Sequence, residues 1–209
     1  ELEFGPDGVM YAAHHSPTNG PASLYRIPDG GGAAQPWGTV APEDPDGIDV
    51  YGHDVYCSNE GTIWRTDIAS GTTTAWATKS NSPNQTSLVI AGAGDSFAAG
   101  TVIVGNARWS GGDIQIAAAG HDNYSTLVSS SSLSVVRALQ FVGGLLYCTE
   151  TEADEGIWAI APDGTLTQLN DGGFNWSLPD AMVYEADTDT FLVGDGENLW
   201  RVARTGGTP

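Results

Sequence analysis

The clearest alternation of apolar and polar positions lies between Pro45 and Gly71. Within this stretch, residues 47–50 and 62–67 alternate apolar and polar side chains at period two, and residues 54–58 form a third extended run between them. This alternation predicts half-buried antiparallel strands joined by tight turns. Three strands alone do not bury a core in water, so we expect the stretch to be one of several copies.

Two short motifs of this stretch recur along the whole chain. The second-strand motif begins at positions 11, 56, 97, 147 and 191, and the third-strand motif is centred on positions 25, 64, 115, 158 and 200. The intervals within the two series range from 39 to 51 residues. That period is typical of one four-stranded propeller blade. The pattern therefore predicts an all-β fold, a β-propeller with five blade repeats.

The predicted blades form a single domain over residues 1–209, with blades at residues 1–40, 41–80, 81–130, 131–171 and 172–209. Blade three is the outlier, because it lacks the third-strand aromatic residue and carries an extra segment at Val102–Gly112. Blade five shows three strands only. Either its outer strand is absent, or a further repeat lies outside this chain. The alternative to a five-bladed ring is thus a six-bladed relative with one blade missing.

Composition restricts the function. Seven basic residues stand against 26 acidic ones, a formal net charge of −19, and such a surface repels nucleic acid and anionic membranes. No apolar run approaches the ~18 residues of a membrane span. The sequence begins without Met and without a signal segment, which favours a processed mature protein or an excised domain. We expect a secreted, periplasmic or cell-surface protein.

The repeats resemble those of the YWTD, NHL and SMP-30/gluconolactonase-like propellers. The motif GIDVYGHDVYCSNEGTIWRTDIASGTTT carries the resemblance, and GLLYCTETEADEGIWAIAPDGTLTQL and TFLVGDGENLWRVARTGG repeat it. The resemblance covers most of the chain and is weakest in blade three. It implies the architecture and leaves function open, because these propellers include receptor ectodomains, ligand-binding scaffolds and hydrolases.

The innermost strand of each blade lines the central channel of a propeller. Residues about ten positions before each second-strand motif are therefore candidate channel residues. They are Glu1, Asp46, Asn84, Arg137 and Asp180.

The resemblance implies one chemistry for these positions. In SMP-30-like lactonases, inner-strand Glu, Asn and Asp side chains hold one divalent cation, and the sequences around Asn84 and Asp180 are similar to two motifs of that family. Oxygen ligands suit Ca²⁺ or another hard divalent cation, which would polarise a carbonyl for attack by water. The alternative is a structural polar ring in which Arg137 pairs with Asp46 or Asp180. No catalytic residue is assigned.

The two cysteines, Cys57 and Cys148, occupy the same position in blades two and four. Because blade three lies between them, we expect them to be farther apart than the ~7 Å that a disulfide allows between Cα atoms. The prediction is two free, buried thiols and no disulfide.

Aromatic residues divide into two groups. The third-strand residues Tyr25, Trp64, Trp158 and Trp200 are expected to pack between blades. By contrast, Trp37, Trp109 and Trp176 fall outside that register. These three are the candidates for an aromatic surface that binds a sugar or a protein partner.

The sequence favours binding over catalysis. The predicted function is an extracytoplasmic interaction module that recognises a protein, a glycan or a small ligand through its loops or channel face. Two alternatives remain open: a metal-dependent lactonase or hydrolase of the SMP-30 type, and a structural subunit of a larger extracellular assembly.

Overall fold

The structure is a computed structural model that describes residues 1–14, 24–39, 45–59, 61–79, 85–107, 112–118, 123–169, 176–196 and 198–204. These residues form nineteen β-strands and no helix. The strands are β1 (Leu2–Phe4), β2 (Met10–Ala13), β3 (Leu24–Ile27), β4 (Gln35–Pro36), β5 (Gly47–Tyr51), β6 (Asp54–Asn59), β7 (Thr62–Asp67), β8 (Thr73–Thr78), β9 (Gln85–Ile90), β10 (Val102–Asn106), β11 (Gly112–Ala117), β12 (Ser125–Ser130), β13 (Val136–Val142), β14 (Leu145–Glu150), β15 (Gly156–Ile160), β16 (Leu166–Gln168), β17 (Pro179–Glu185), β18 (Thr190–Asp195) and β19 (Asn198–Ala203).

Consecutive strands pair into five antiparallel sheets: β1–β4, β5–β8, β9–β12, β13–β16 and β17–β19. We call these sheets blades one to five. The first strands of successive blades lie next to one another, from β1 through β5, β9 and β13 to β17. The fold is a five-bladed β-propeller, which confirms the prediction from the repeats. In the described part of the chain, blade five has three strands, as the sequence indicated.

The core consists of apolar layers between consecutive blades. Successive side chains of a strand point to opposite faces, so one strand serves two layers. In β6, Cys57 packs towards Tyr11 and blade one, whereas Tyr56 packs towards Leu88 and blade three. Alternation at period two therefore makes both faces of each inner blade apolar.

The remaining layers follow the same rule. Ile114 of blade three packs with Cys148 of blade four, and Tyr147 of blade four packs with Phe191 of blade five. Four layers thus join the five blades, and no such layer joins blade five to blade one among the described residues. Both cysteines are free and fully buried in different layers, and burial raises the pKa of Cys57 to about 12.

The second strand of blade three was misplaced by the sequence pattern. It is Val102–Asn106, and not the segment that begins at Phe97. All five residues of β10 are buried, so the strand lacks the alternation that marks half-buried strands. Phe97 lies in the connection from β9 to β10 and packs edge-on against Phe141, with ring centroids 5.9 Å apart. The expected extra segment at Val102–Gly112 therefore contains a regular strand, and the insertion is residues 91–101.

Blade five was misaligned by one residue. Val193 pairs with Trp200 in the way that Cys57 pairs with Trp64, so the equivalent of Tyr56 is Leu192 and not Phe191. With this correction and Ile103 in blade three, the equivalent second-strand residues are at positions 11, 56, 103, 147 and 192. They are 45, 47, 44 and 45 residues apart, a more even repeat than the motifs alone suggested.

Candidate functional site

A cleft of about 410 Å³ lies between blades four and five. The start of the first strand pairs with the end of the second in each blade, Val136 with Glu150 and Pro179 with Asp195. The turns that follow β14 and β18 therefore meet the beginnings of β13 and β17 at one end of the propeller. The described residues that line the cleft are Arg137, Thr151, Glu152, Leu178, Asp180, Ala181, Gly194, Asp195, Gly196 and Asn198.

The blade-four wall is built around a buried carboxylate. Glu150 ends β14 and is fully buried. Its Oε1 accepts hydrogen bonds from the backbone N–H groups of Ser134, Val135 and Glu152, and its Oε2 accepts one from Ala153, all at 2.9–3.1 Å. These four bonds satisfy the charge and fix the turn. As a result the exposed carboxylate of Glu152 is held on a rigid support.

Asp195 is the buried carboxylate that fixes the blade-five wall. It ends β18 and is buried, with Oδ1 accepting from the N–H of Ser177 at 2.6 Å and Oδ2 accepting from Nε1 of Trp200 at 3.0 Å. Next to Ser177, Leu178 has a φ of +81°, an uncommon backbone conformation for a residue other than glycine. The turn residue Gly196 also has a positive φ. This wall, too, is fixed by buried hydrogen bonds.

Among the described residues that line the cleft, one side chain is a cation and three are carboxylates. The cation is Arg137, and the carboxylates are Glu152, Asp180 and Asp195. Nε of Arg137 lies 3.4 Å from Oδ1 of Asp180, and both side chains are exposed. An exposed ion pair of this kind contributes at most about 1 kcal/mol, so its members can exchange partners readily. The cleft is acidic, and its exposed carboxylates are accessible.

Two of the candidate channel residues therefore meet in the cleft, as Arg137 and Asp180 form an ion pair. Two others lie at blades one and two. Glu1 is exposed overall, but its carboxylate is turned towards β5, where Oε2 accepts a hydrogen bond from the N–H of Ile48 at 2.9 Å. Desolvation of the carboxylate raises the pKa of Glu1 to about 7. Asp46 donates its N–H to the carbonyl of Ser58 at 3.1 Å. The fifth, Asn84, lies outside the described residues.

Sequence reasoning missed Asp49, which lies in the middle of the inner strand β5. Its Oδ1 accepts from the N–H of Val50 and its Oδ2 from the N–H of Ile90, both at 2.6 Å. Asp49 thus ties blade two to blade three. Desolvation, with a smaller contribution from the charge of Glu3, raises the pKa of Asp49 to about 7. The signal available in the sequence was a carboxylate within a strand that faces the channel.

The divalent cation implied by the family resemblance does not fit the described residues. No group of three or more His, Cys, Asp or Glu side chains among them could hold a metal ion. The guanidinium of Arg137 pairs with Asp180, and Glu1 is bonded to the backbone of β5. We therefore derive no reaction step through a metal.

Two of the three aromatic candidates, Trp37 and Trp176, contribute to packing. Trp37 lies against Tyr11 with ring centroids 4.7 Å apart, and it also lines a second cavity of about 280 Å³ between blades one and two. Trp176 packs against Trp200 at 6.3 Å in the layer between blades four and five. Trp109 lies outside the described residues. Ligand binding by these three residues stays a prediction.

Comparisons with known proteins identify the fold through structure. No protein-family model and no curated protein matches the sequence. Regucalcin from Agrobacterium tumefaciens, a calcium-binding protein, aligns with a TM-score of 0.73 at 14% identity over 100% of this chain and 71% of its own. A chain of the nidogen–laminin complex aligns with a TM-score of 0.67 at 14% identity over 93% of this chain and 74% of its own.

A third solved structure is an auxiliary nutrient binding protein from Bacteroides thetaiotaomicron. Its TM-score is 0.74 at 13% identity, over 93% of this chain and 56% of its own length, so this chain spans little more than half of that protein. At these identities the likeness shows the fold alone. The class that the fold defines is the β-propeller, as the repeats predicted.

Proposed function

We propose that this protein is a binding module, and that the cleft between blades four and five receives a lysine- or arginine-bearing segment of a protein partner. The observation that carries the proposal is the set of exposed carboxylates on two rigid walls. Glu152 and Asp180 face the cleft from blades four and five, each next to a turn fixed by a buried carboxylate.

Rigidity supports binding because little conformational freedom is lost when the partner is bound. Glu150 and Asp195 are fully engaged by backbone and indole N–H groups, so the walls need no rearrangement. Leu178 and Ala181 add apolar surface at the cleft. This combination suits a long cationic side chain, which has an apolar stem and a charged end.

The charge of the whole molecule supports the same class of partner. A net charge of −19 attracts cationic segments over a distance of about one Debye length and increases their rate of association. We extend the proposal to a location outside the cytoplasm, where the acidic surface would meet partner proteins. Within the described residues no helix is long and apolar enough to span a membrane.

The proposal is tested by titration calorimetry with a tetralysine peptide, and with tetraglutamate as the negative probe. The double variant Glu152→Gln/Asp180→Asn removes two charges from the cleft. The control Asp29→Asn/Asp163→Asn removes two charges from exposed turns between third and fourth strands, at the opposite end of the blades. We expect the cleft variant to bind tetralysine at least ~5-fold more weakly, a loss of about 1 kcal/mol, and the control less than ~2-fold.

Equal losses in the two variants would show attraction by net charge alone and would contradict the proposal, as would the absence of tetralysine binding at physiological salt. A stoichiometric divalent cation in the purified protein, together with hydrolysis of a lactone, would replace the proposal with the metal-dependent lactonase.

A further inference from the structure

An arginine recurs at one position of the third strand, and its surroundings differ between blades. The residues that pair with positions 11, 56 and 192 of the second strands are Arg26, Arg65 and Arg201. Nε of Arg65 lies 3.8 Å from a carboxylate oxygen of Asp54, and Nε of Arg201 lies 2.9 Å from one of Glu185. Arg26 forms no ion pair with any residue that the structure describes. Blade one therefore presents the arginine of the repeat without the carboxylate that accompanies it in blades two and five.

Asp7, a carboxylate of the turn between β1 and β2, does not take that role. Its Oδ2 accepts a hydrogen bond from the hydroxyl of Tyr11 at 3.0 Å, and its Oδ1 accepts one from the N–H of Val9 at 3.2 Å. Asp7 is thus bonded to the residue that lies directly opposite Arg26 in the sheet. Arg26 is exposed, so its guanidinium is accessible to a group from outside the chain.

Arg26 lines the second cavity, the one of about 280 Å³ between blades one and two. The segment that follows β4 closes this cavity against blade two. The N–H of Thr39 donates to the carbonyl of Gly71 at 2.9 Å, and the hydroxyl oxygen of Thr39 accepts from the N–H of Thr73 at 2.9 Å. These bonds fix residues 37–39 to the turn between β7 and β8. The cavity therefore has a defined wall, and it lies at the end of the propeller opposite the cleft.

Trp37 supplies the aromatic surface of this cavity. Its ring is held against Tyr11, with ring centroids 4.7 Å apart. Gly71 allows the close approach of the indole, because a Cβ added at that residue would lie 3.3 Å from Nε1 of Trp37. Among the described residues, none accepts a hydrogen bond from this Nε1. The ring and Pro36 thus place apolar surface, and the indole N–H places a donor, in the same cavity as the guanidinium.

The described lining of the cavity offers hydrogen-bond donors and no acidic side chain. The donors are the guanidinium of Arg26, the indole N–H of Trp37 and the hydroxyl of Thr39, whose oxygen already accepts a bond. In a chain with 26 acidic and seven basic residues, this lining is the opposite of the acidic cleft. Bonds from a guanidinium to a carboxylate are among the strongest hydrogen bonds in proteins.

We propose that the cavity between blades one and two binds a small ligand made of a ring and a single carboxylate. The carboxylate bonds to Arg26 and so takes the place that Asp54 and Glu185 occupy in blades two and five. The ring lies against Trp37. This inference does not depend on the function proposed for the cleft.

Size and charge both favour a small monoanion over an acidic segment of a protein. The volume of about 280 Å³ is close to the lower end, about 300 Å³, of the range typical of small-molecule sites. A protein with a net charge of −19 repels a segment that carries several carboxylates, whereas a single carboxylate is repelled least. Two sources share the required chemistry, an acidic sugar and an aromatic carboxylic acid.

The test is an NMR titration of the ¹⁵N-labelled protein, in which the indole N–H of Trp37 is followed at physiological salt. Glucuronate and benzoate represent the two sources, and glucose and benzamide are their neutral counterparts. We expect a saturable shift of the Trp37 indole signal with at least one of the two acids, with a Kd of about 1 mM. Its neutral counterpart should bind at least ~5-fold more weakly.

Arg26→Gln should weaken binding of that acid at least ~5-fold. The matched control is Arg65→Gln, which removes the same charge at the equivalent position of blade two and should change the Kd less than ~2-fold. Arg26→Lys keeps the charge but loses the planar pair of donors, so its Kd should lie between those of wild type and Arg26→Gln. Both arginines are exposed, and thermal unfolding verifies that the variants are folded.

Three results would overturn the proposal. The first is the absence of a saturable indole shift with either acid at concentrations well above the expected Kd. The second is equal weakening by Arg26→Gln and Arg65→Gln, which would reduce the effect to net charge. The third is a neutral probe that binds as tightly as its acid. Binding of only one acid supports the proposal and identifies the source of the carboxylate.

The two proposed sites are separable in the same experiment. Glu152→Gln/Asp180→Asn should bind the acid as wild type does, and Arg26→Gln should bind tetralysine at least as tightly as wild type. Failure of the cleft proposal is therefore distinguishable from failure of this one.

Discussion

At the scale of single residues, the polar position at the end of the second strand fixes the wall of the cleft in blades four and five. With the corrected register, this position is occupied by His14, Asn59, Asn106, Glu150 and Asp195. In blades four and five the side chain is a buried carboxylate that accepts bonds from N–H groups of its surroundings. A motif misaligned by one residue hides this repeat, because it puts Gly194 in place of Asp195.

Glu150 is expected to be the most sensitive of these residues. Replacing it with alanine leaves four N–H groups without their acceptor, and each buried unsatisfied group costs about 1–3 kcal/mol. Some of these groups will bind water instead, so we expect Glu150→Ala to lower the free energy of unfolding by about 3 kcal/mol or more. Urea unfolding gives the value.

Asp154 provides the control for that experiment, since it lies exposed in the same turn. Asp154→Ala should change the free energy of unfolding by less than about 0.5 kcal/mol. Similar costs for the two substitutions would show that Glu150 does not hold the turn.

Asp49 is expected to make stability depend on pH. Its pKa is about 7 in the folded protein and about 4 in an unfolded chain, so between these values the folded state binds a proton that the unfolded state does not. The stabilisation that this group contributes is therefore fully present below about pH 4, and it is lost as the pH rises through 7. Asp49→Asn removes that dependence.

Urea unfolding at pH 4.5 and pH 7.5 measures the effect. We expect the wild-type protein to lose about 2 kcal/mol more than Asp49→Asn over this interval. Asp163→Asn is the comparison. The hydrogen bond from the N–H of Thr165 lowers the pKa of Asp163, so the contribution of Asp163 to stability changes with pH in the opposite direction from that of Asp49. An identical pH dependence in wild type and Asp49→Asn would refute the assigned role.

At the scale of strands, alternation located half-buried strands and failed where burial was complete. Blade two could be placed from its sequence because its first and third strands alternate and its turns are short. The strand β10 is buried along its whole length, so Val102–Asn106 carries no period of two. In β18 the adjacent Phe191 and Leu192 are both apolar, and only the pairing of Val193 with Trp200 settles which of them faces which blade.

The same limit applies to the cleft. Counting back from the repeats located Arg137 and Asp180, because the position of an inner strand follows from the period. Glu152 and Asp195 belong to turns whose acidic composition alone is typical of solvated loops. Asp195 is buried where it accepts a hydrogen bond from the N–H of Ser177, and the turn that carries Glu152 is held by the N–H of Glu152, which donates to Glu150. The local sequence specifies neither bond.

Blade faces differ in their contribution to stability. Phe191 is fully buried between blades four and five, so Phe191→Ala should cost about 3–5 kcal/mol. Phe4 is 63% exposed on the side of blade one that points away from blade two, and Phe4→Ala should cost less than about 0.5 kcal/mol. Thermal unfolding of both variants checks the difference. A cost for Phe4→Ala comparable with that for Phe191→Ala would contradict the exposure of Phe4.

At the scale of the whole molecule, four apolar layers join the five blades within the described residues, and exposed apolar side chains such as Phe4 and Leu199 interrupt the acidic surface. The cleft lies at one end of the last layer, where two turns with fixed backbones bring exposed carboxylates together. The central claim concerns this cleft: it is the place where a cationic partner binds.

The most direct test is a two-dimensional amide NMR titration of the ¹⁵N-labelled protein with tetralysine at physiological salt. The account predicts saturable shifts confined to cleft amides such as those of Thr151, Glu152, Gly194 and Gly196, and their loss in Glu152→Gln/Asp180→Asn. Shifts spread evenly over the acidic surface, or centred on the turns that contain Asp29 and Asp163, would contradict it.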